Sequence, residues 1–419
     1  MRTFTDTFHN KTLLTLNTIQ GVDLTDICNE FGTPLYVYDA DKIVQQIELL
    51  QGLFSDTPLQ LKYAAKSLTN LSVLKLIKAQ GIGLDVVSIE EAYLGIKAGF
   101  APQEISYTPN CVSFEEIQEA VELGVAINID NLPMLEQFGK TYAHTVPCCV
   151  RINPNIMAGG HSKISVGHSF SKFGISALQV RELVQIVENY GIDISGMHVH
   201  TGSDIKDVDV FLMSADVVFS VAKHFKNLRF IDFGSGFKIN YREHDSSTNL
   251  EELADKLQAA FRQFCEEYGR QLEMWLEPGK IIVSEAGQFL VKVNVVKENP
   301  DVTFVGVDSG FNHLIRPMFY DAYQHIINIS NPDGPKKKYQ VVGYICETDT
   351  FGSDRELNEV RPGDILSIKN AGAYGYSMAS NYNSRMRPAE VMIYKGKAHL
   401  IRQRETMEDL LKNQLMIDL

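Results

Sequence analysis

Short apolar, β-branched runs that end in polar residues recur through the first two thirds of the chain, separated by stretches of helical periodicity. Eight of these runs predict strands: LKYAAK from Leu61, GLDVVS from Gly83, EISYTPN from Glu104, VAINID from Val125, PCCVRIN from Pro147, GMHVHTG from Gly196, RFIDFG from Arg229 and MWLEPG from Met274. Between them, LSVLKLIKAQ from Leu71, FEEIQEAVELG from Phe114, VRELVQIVENYG from Val180 and LEELADKLQAAFRQFCEEYG from Leu250 predict helices, each closing near a glycine or a polar cap. Strand and helix alternating eight times predict a (β/α)8 barrel over residues 34–279.

After Gly279 the pattern changes to strands without long intervening helices: KIIVSEAGQFLVKVNVVKE, VTFVGVD, YQVVGYICE, DILSIKNAG and EVMIYKGKAHLI. These predict a separate antiparallel β domain over residues 280–419. Residues 1–33 join it, and TLLTLNTI together with PLYVYD supplies a further strand or two.

Composition narrows the picture. At 419 residues, 44% apolar and 22% charged, the chain belongs with soluble globular proteins of two domains. Acidic side chains outnumber basic ones by 52 to 39, and a net charge of -13 offers no basic stripe for a nucleic-acid backbone. No run of eighteen apolar residues occurs, and MRTFTDTFHN has no basic stretch leading into an apolar one, so the expectation is a cytoplasmic protein with no membrane partner. The six cysteines lack CxxC spacing and neighbouring ligand histidines, which argues against a disulfide framework or a zinc site.

Barrel enzymes place their chemistry at the C-terminal ends of the strands, so the polar residues ending each run are the informative ones. They are Lys66, Asp85, Arg151, His200 with Gly202 and Ser203, Gly234 and Gly236, and Glu277. A buried lysine is costly unless it is paired or used, and Lys66 ends an otherwise apolar strand in YAAKSLTN. A snorkelling side chain is the plain alternative; the company of the other residues favours covalent attachment of a carbonyl cofactor. DFGSGF offers small residues whose backbone can close around a phosphate, although a glycine pair after a strand also serves as an ordinary turn. A carboxylate at Glu277 suits a protonated pyridine nitrogen. His198 and His200 lie two apart on one strand face, but no third ligand follows at metal spacing, so no metal is expected.

The ordered series YAAKSLTN, GLDVVSIEE, RINPN, HSKISVGHSFSKFGI, HVHTGSD, DFGSGF, EPGK, CET and GAYGYSMASNYN resembles the motifs of the group IV, alanine-racemase-like pyridoxal-phosphate decarboxylases, over about Pro34 to Asn383. The resemblance implies pyridoxal 5'-phosphate on Lys66, His200 against its ring, and Ser203, Gly234, Gly236 and Tyr374 at its phosphate. It implies Glu277 at the pyridine nitrogen, with Asp85 and Gly279 also lining the cofactor. It further implies that Lys280, Arg316, Tyr320, Glu347 and Tyr374 contact an amino-acid substrate and that Cys346 is the acid near the reacting carbon. Such enzymes are homodimers in which the β domain of one subunit completes the neighbour's site.

By the same resemblance the reaction is decarboxylation of meso-2,6-diaminopimelate, with carboxynorspermidine or another basic amino acid as the runner-up substrate. Arg316 with Lys280 discriminates between them. Glu277 argues against a racemase, which prefers an arginine at the pyridine nitrogen, and the β domain argues against a barrel-only cofactor carrier. Two departures stand out: Lys280 replaces the usual arginine of EPGR and loses its bidentate fork, and Ser235 interrupts a glycine run that is usually denser.

Overall fold

A computed structural model describes residues 17–157, 165–242 and 245–419. The expected strand TLLTLNTI therefore lies mostly outside the described residues, as does HSKI in the fourth motif. The chain divides into two compact units. One holds Asp41–Ala286 together with Gly372–Ser377; the other holds the described chain up to Ala40, Gly287–Ala371 and Met378–Leu419.

The first unit is a closed barrel of eight parallel strands: β1 (Leu59–Ala64), β2 (Gly83–Val86), β3 (Ile105–Tyr107), β4 (Ala126–Ile129), β5 (Cys148–Asn153), β6 (Ile194–Val199), β7 (Phe230–Asp232) and β8 (Glu273–Leu276). Each pairs with the next, and β8 closes the ring on β1 through Leu276 opposite Leu61. All eight coincide with the runs seen in the sequence. The helices between them start and stop where side chains satisfy their open ends. For example, Ser113 Oγ accepts the Glu116 N–H at 3.3 Å to begin the helix Phe114–Leu123, and Gly124, at φ 78°, ends it. In the helix Leu71–Lys78 the buried Val73, Leu74 and Ile77 form the stripe that packs inward, each worth about 1.5–3 kcal/mol in apolar burial.

The barrel interior is closed at its N-terminal end by Phe230 and Trp275, whose rings stack 3.5 Å apart and nearly parallel. Gly196 is required beside them, because a Cβ there would sit 2.2 Å from the Phe230 ring. A cavity of about 910 Å³, lined by Pro58, Val125, Pro147, Arg229 and Leu272, opens outward from that floor, at the opposite end of the barrel from the polar strand ends.

The second unit is a mixed sheet. Its antiparallel core is Gly287–Glu298 paired with Thr303–Val307, Ile365–Ile368 and Leu35–Asp39. The expected antiparallel domain is modified by two parallel pairings, Leu35–Asp39 with Ala389–Tyr394 and Thr303–Val307 with Lys336–Val342. PLYVYD thus belongs to the sheet, and the units part at Ala40 and Ala286 rather than at 34 and 279. Two expected strands are shorter than the sequence suggests. Lys280–Val283 is a helical turn, closed by Ile282 N–H to Gly279 O at 3.1 Å and Ser284 N–H to Lys280 O at 2.9 Å. The run YQVVGYICE leaves its strand at Val342, because the Asp349 carboxylate draws in the Ile345 N–H at 2.8 Å and the Phe311 N–H at 2.6 Å. Cys346 therefore stands in an exposed loop, not in a strand. Among the described residues no helix is long and apolar enough to cross a membrane.

Candidate active site

The expected site residues fall in both units. Lys66, Asp85, His200, Ser203, Gly234, Gly236, Glu277, Gly279, Lys280 and Tyr374 belong to the barrel; Arg316, Tyr320, Cys346 and Glu347 belong to the sheet.

At the end of β1 a single 3-10 turn, Ala65–Ser67, carries Lys66 onto the mouth of the barrel. Its backbone is fixed on both sides. Ala64 N–H donates to Pro278 O at 3.2 Å, and Ser67 O accepts the Tyr374 N–H at 2.9 Å and the Ser377 hydroxyl at 3.2 Å. The segment Gly372–Ser377 thus reaches the turn that bears the lysine. Gly279 allows the approach from β8, since a Cβ there would lie 2.2 Å from Ser67 Oγ. Burial disfavours the Lys66 ammonium, but Asp85, Tyr374 and Glu277 more than offset it against the opposing Arg151, and its pKa is held above the ordinary lysine value.

The loops after β6 and β7 meet backbone against backbone. Gly234 and Gly236 have φ of 62° and 118°. A Cβ on Gly236 would come within 2.2 Å of Gly202 O, and one on Gly234 within 2.8 Å of both Val199 O and His200 Nδ1. Ile205 N–H closes the contact on Gly236 O at 2.9 Å. The Gly234 N–H is already donated to Asp232 Oδ1 at 2.8 Å, so at a phosphate Gly234 supplies room rather than a donor. Burial, with the cations Lys66 and Arg151, pushes His200 well below the ordinary histidine range, leaving a neutral ring at the mouth.

Beneath the mouth lies a buried polar cluster. Glu277 Oε2 is 3.0 Å from His198 Nε2, and donor atoms of His198, Asp232 and Glu277 lie within 4.8 Å of one another. Asp232 and Asp85 are pushed well above the carboxylate range, first by burial and then by the charge on Glu277. Glu277 itself is held below that range: burial opposes ionisation, but His198 and Lys66 outweigh it. Of the three, Glu277 is the one whose charged form the surroundings favour. Sequence spacing missed this cluster because its members come from three different strands.

Lys280 Nζ is 2.8 Å from Asp204 Oδ1 in a largely buried pair, which ties it to the loop that carries Ser203. Within the sheet unit, Cys346 Sγ lies 3.1 Å from Asn383 Nδ2 and 3.4 Å from its Oδ1, and the Tyr382 hydroxyl donates to Glu347 Oε1 at 3.0 Å. Arg316 is buried, with its guanidinium 5.6 Å from the Tyr320 ring centre. Asn383 and Tyr382 were not singled out in the sequence, although both lie in the motif GAYGYSMASNYN.

These features fit pyridoxal phosphate: a lysine on a fixed turn at the barrel mouth, two loops packed closely through Gly234 and Gly236, a neutral imidazole, and a buried carboxylate whose Oε1 takes no hydrogen bond from a protein N–H or hydroxyl. Barrel, sheet and site together define a pyridoxal-phosphate-dependent decarboxylase. Residues 40–284 match the family model described as "Pyridoxal-dependent decarboxylase, pyridoxal binding domain". The diaminopimelate decarboxylase of Methanothermobacter thermautotrophicus is 39% identical, over 94% of this chain and 95% of its own. That of Bacillus subtilis is 35% identical over 95% and 94%. The crystal structure of diaminopimelate decarboxylase from Helicobacter pylori complexed with L-lysine superposes with a TM-score of 0.86 at 32% identity, covering 93% of this chain and 98% of that one. The chain belongs to the diaminopimelate decarboxylase family.

Proposed function

We propose that this chain converts meso-2,6-diaminopimelate to L-lysine and CO2, the last step of lysine biosynthesis, as the pyridoxal-phosphate carboxy-lyase of its family. The observation that carries the reading is the placing of Lys66, on its anchored turn, at the mouth of the barrel that also holds Glu277 beside His198. Pyridoxal phosphate, when bound, supplies the electron sink for the pair released as the carboxylate leaves.

Each residue has a definite part. Lys66 would hold the cofactor through Nζ. Glu277 keeps the ring nitrogen protonated, because an anion beside it favours the charged form. His200, neutral, would lie against the ring without competing for that charge. Ser203, Gly236 and Tyr374 take the phosphate, with Gly234 leaving space for it. Asp85, held protonated, lines the same end of the barrel. After CO2 departs, the carbon takes one proton, which Cys346 delivers. Arg316 and Tyr320 receive the far carboxylate, and Glu347 receives the far amino group, so a substrate lacking either end leaves a charged group unmatched. Lys280 acts through Asp204 on the Ser203 loop.

Cys346 and Glu347 are exposed on the sheet unit. That exposure supports a homodimer in which Cys346 of the partner subunit serves the Lys66 of the first.

Release of CO2 from diaminopimelate, carboxynorspermidine, ornithine, arginine and lysine tests the assignment. Diaminopimelate should lead the panel by at least about 10³ in kcat/KM, because the others lack the far carboxylate. Preference for carboxynorspermidine would transfer the chain to the neighbouring activity.

A further inference from the structure

We propose that His198 is a positioning residue for Glu277: from inside the barrel it donates its Nε2–H to one carboxylate oxygen and leaves the other to meet the cofactor's ring nitrogen. The inference rests on the reading of Glu277 just given and assigns a part to a residue that the mechanism above does not use.

The register places the histidine. On β6, His198 stands opposite Arg151 of β5 and Asp232 of β7, whose own partner on β8 is Trp275. Glu277 is two residues beyond Trp275, on the same face and one level nearer the mouth. His198 thus reaches Glu277 from below, at 3.0 Å, with none of its surface exposed. Glu277 Oε1 is buried and takes no hydrogen bond from a protein N–H. Its two oxygens are therefore inequivalent: Oε2 is held by His198 and Oε1 is not, while Asp232, held as the acid, also lies in hydrogen-bonding reach of the carboxylate.

The choice of a histidine has a chemical reason. Burial and the cations Arg151 and Lys66 hold His198 neutral, outweighing the pull of Glu277. A neutral N–H orients a carboxylate without cancelling its charge, whereas a lysine or arginine in contact would compete with the pyridinium for the same anion. Asp232, held as the acid beside Glu277, adds no second negative charge. The titratable groups facing the pair are Lys62, Lys66, Asp85, Cys149, Arg151, His200 and Asp232, and each belongs to the barrel wall.

The test compares two amides in the holoenzyme. His198→Gln carries its NH2 at the reach of Nε2; His198→Asn carries it at the level of Nδ1, short of Glu277. The measurements are kcat, KM, the dissociation constant of pyridoxal phosphate from the apoprotein, and the pH dependence of the bound cofactor's visible absorbance. We expect His198→Asn to lose roughly 10- to 100-fold in kcat with KM little changed, to bind the cofactor about 10-fold more weakly, and to shift the absorbance transition. His198→Gln should recover most of each loss. Two variants that melt alike and fall equally overturn the positioning role, as does a His198→Asn protein with wild-type kcat and absorbance. Glu277→Gln separates the two levels of the argument. If it too behaves as wild type, the reading of Glu277 fails; if it loses the transition and turnover while His198→Asn does not, only the part given to His198 fails.

Discussion

Lys280 Nζ lies 2.8 Å from Asp204 Oδ1, with both side chains largely withdrawn from water and the pair bridging the end of β8 and the loop after β6. Asp204 itself has φ of 59°, so the loop turns sharply just past Ser203. A charge buried this far is tolerated because its partner is present.

Replacing one member should therefore disturb the loop before it disturbs the substrate. Lys280→Met leaves Asp204 uncompensated and should cost about 3 kcal/mol in urea unfolding of the apoprotein. It should also weaken pyridoxal phosphate binding by about tenfold or more, a larger effect than its effect on KM. Adding Asp204→Asn should restore much of the stability, as expected for coupled neighbours. A rise in KM with unchanged cofactor affinity would instead return Lys280 to the substrate's far carboxylate.

The site of covalent attachment can be read directly. Borohydride reduction of the holoenzyme, followed by digestion, should leave the cofactor on the peptide containing Lys66, and Lys66→Ala should abolish the label while retaining the fold. Label on any other lysine refutes the assignment.

Assembly has a quantitative signature. Lys66→Ala and Cys346→Ala chains, each inactive, should regain activity when unfolded and reassembled in equal amounts. Random pairing makes half the dimers hybrid, and one of the two sites in each hybrid is intact, so recovery should approach about a quarter of wild type. Hybrids that form and stay inactive would show that Lys66 and Cys346 act within one chain.

Acid stability has a contribution from the sheet unit. His313 is buried, 3.0 Å from Ser309 Oγ through Nδ1, and burial lowers its pKa from 6.5 to about 4. The unfolded chain binds the proton first, so stability is fully present above pH 6.5 and is lost as the pH falls through about 4. The loss amounts to roughly 3 kcal/mol, and His313→Asn should flatten that part of the denaturation profile. An unchanged slope in the variant would remove His313 as the cause.

The barrel was readable because each of its strands is a short apolar run closed by a polar residue, and those closing residues include Lys66, Asp85 and His200. What escaped has physical reasons. Lys280–Val283 reads as a strand from its isoleucines and valine, yet Gly279 and Ser284 close it as a helical turn. Cys346 sits in an apolar run that Asp349 pulls out of its strand. The contact between His198 and Glu277 has no local signature, since 79 residues separate them and they meet across β7 inside the barrel. The Asp204 partner of Lys280 is hidden for the same reason.

The six residues Gly372–Ser377 belong to the barrel although the chain on either side belongs to the sheet, so the polypeptide passes between its two units four times. Neither unit is encoded by an uninterrupted stretch of gene. A single recombination crossover cannot exchange either half as a cassette: a swap made at Ala286 would pair one parent's Lys66 turn with the other parent's Tyr374, whose backbone anchors it. Lineages carrying this architecture can therefore diverge in the two units only by keeping that small return segment matched to the turn it holds.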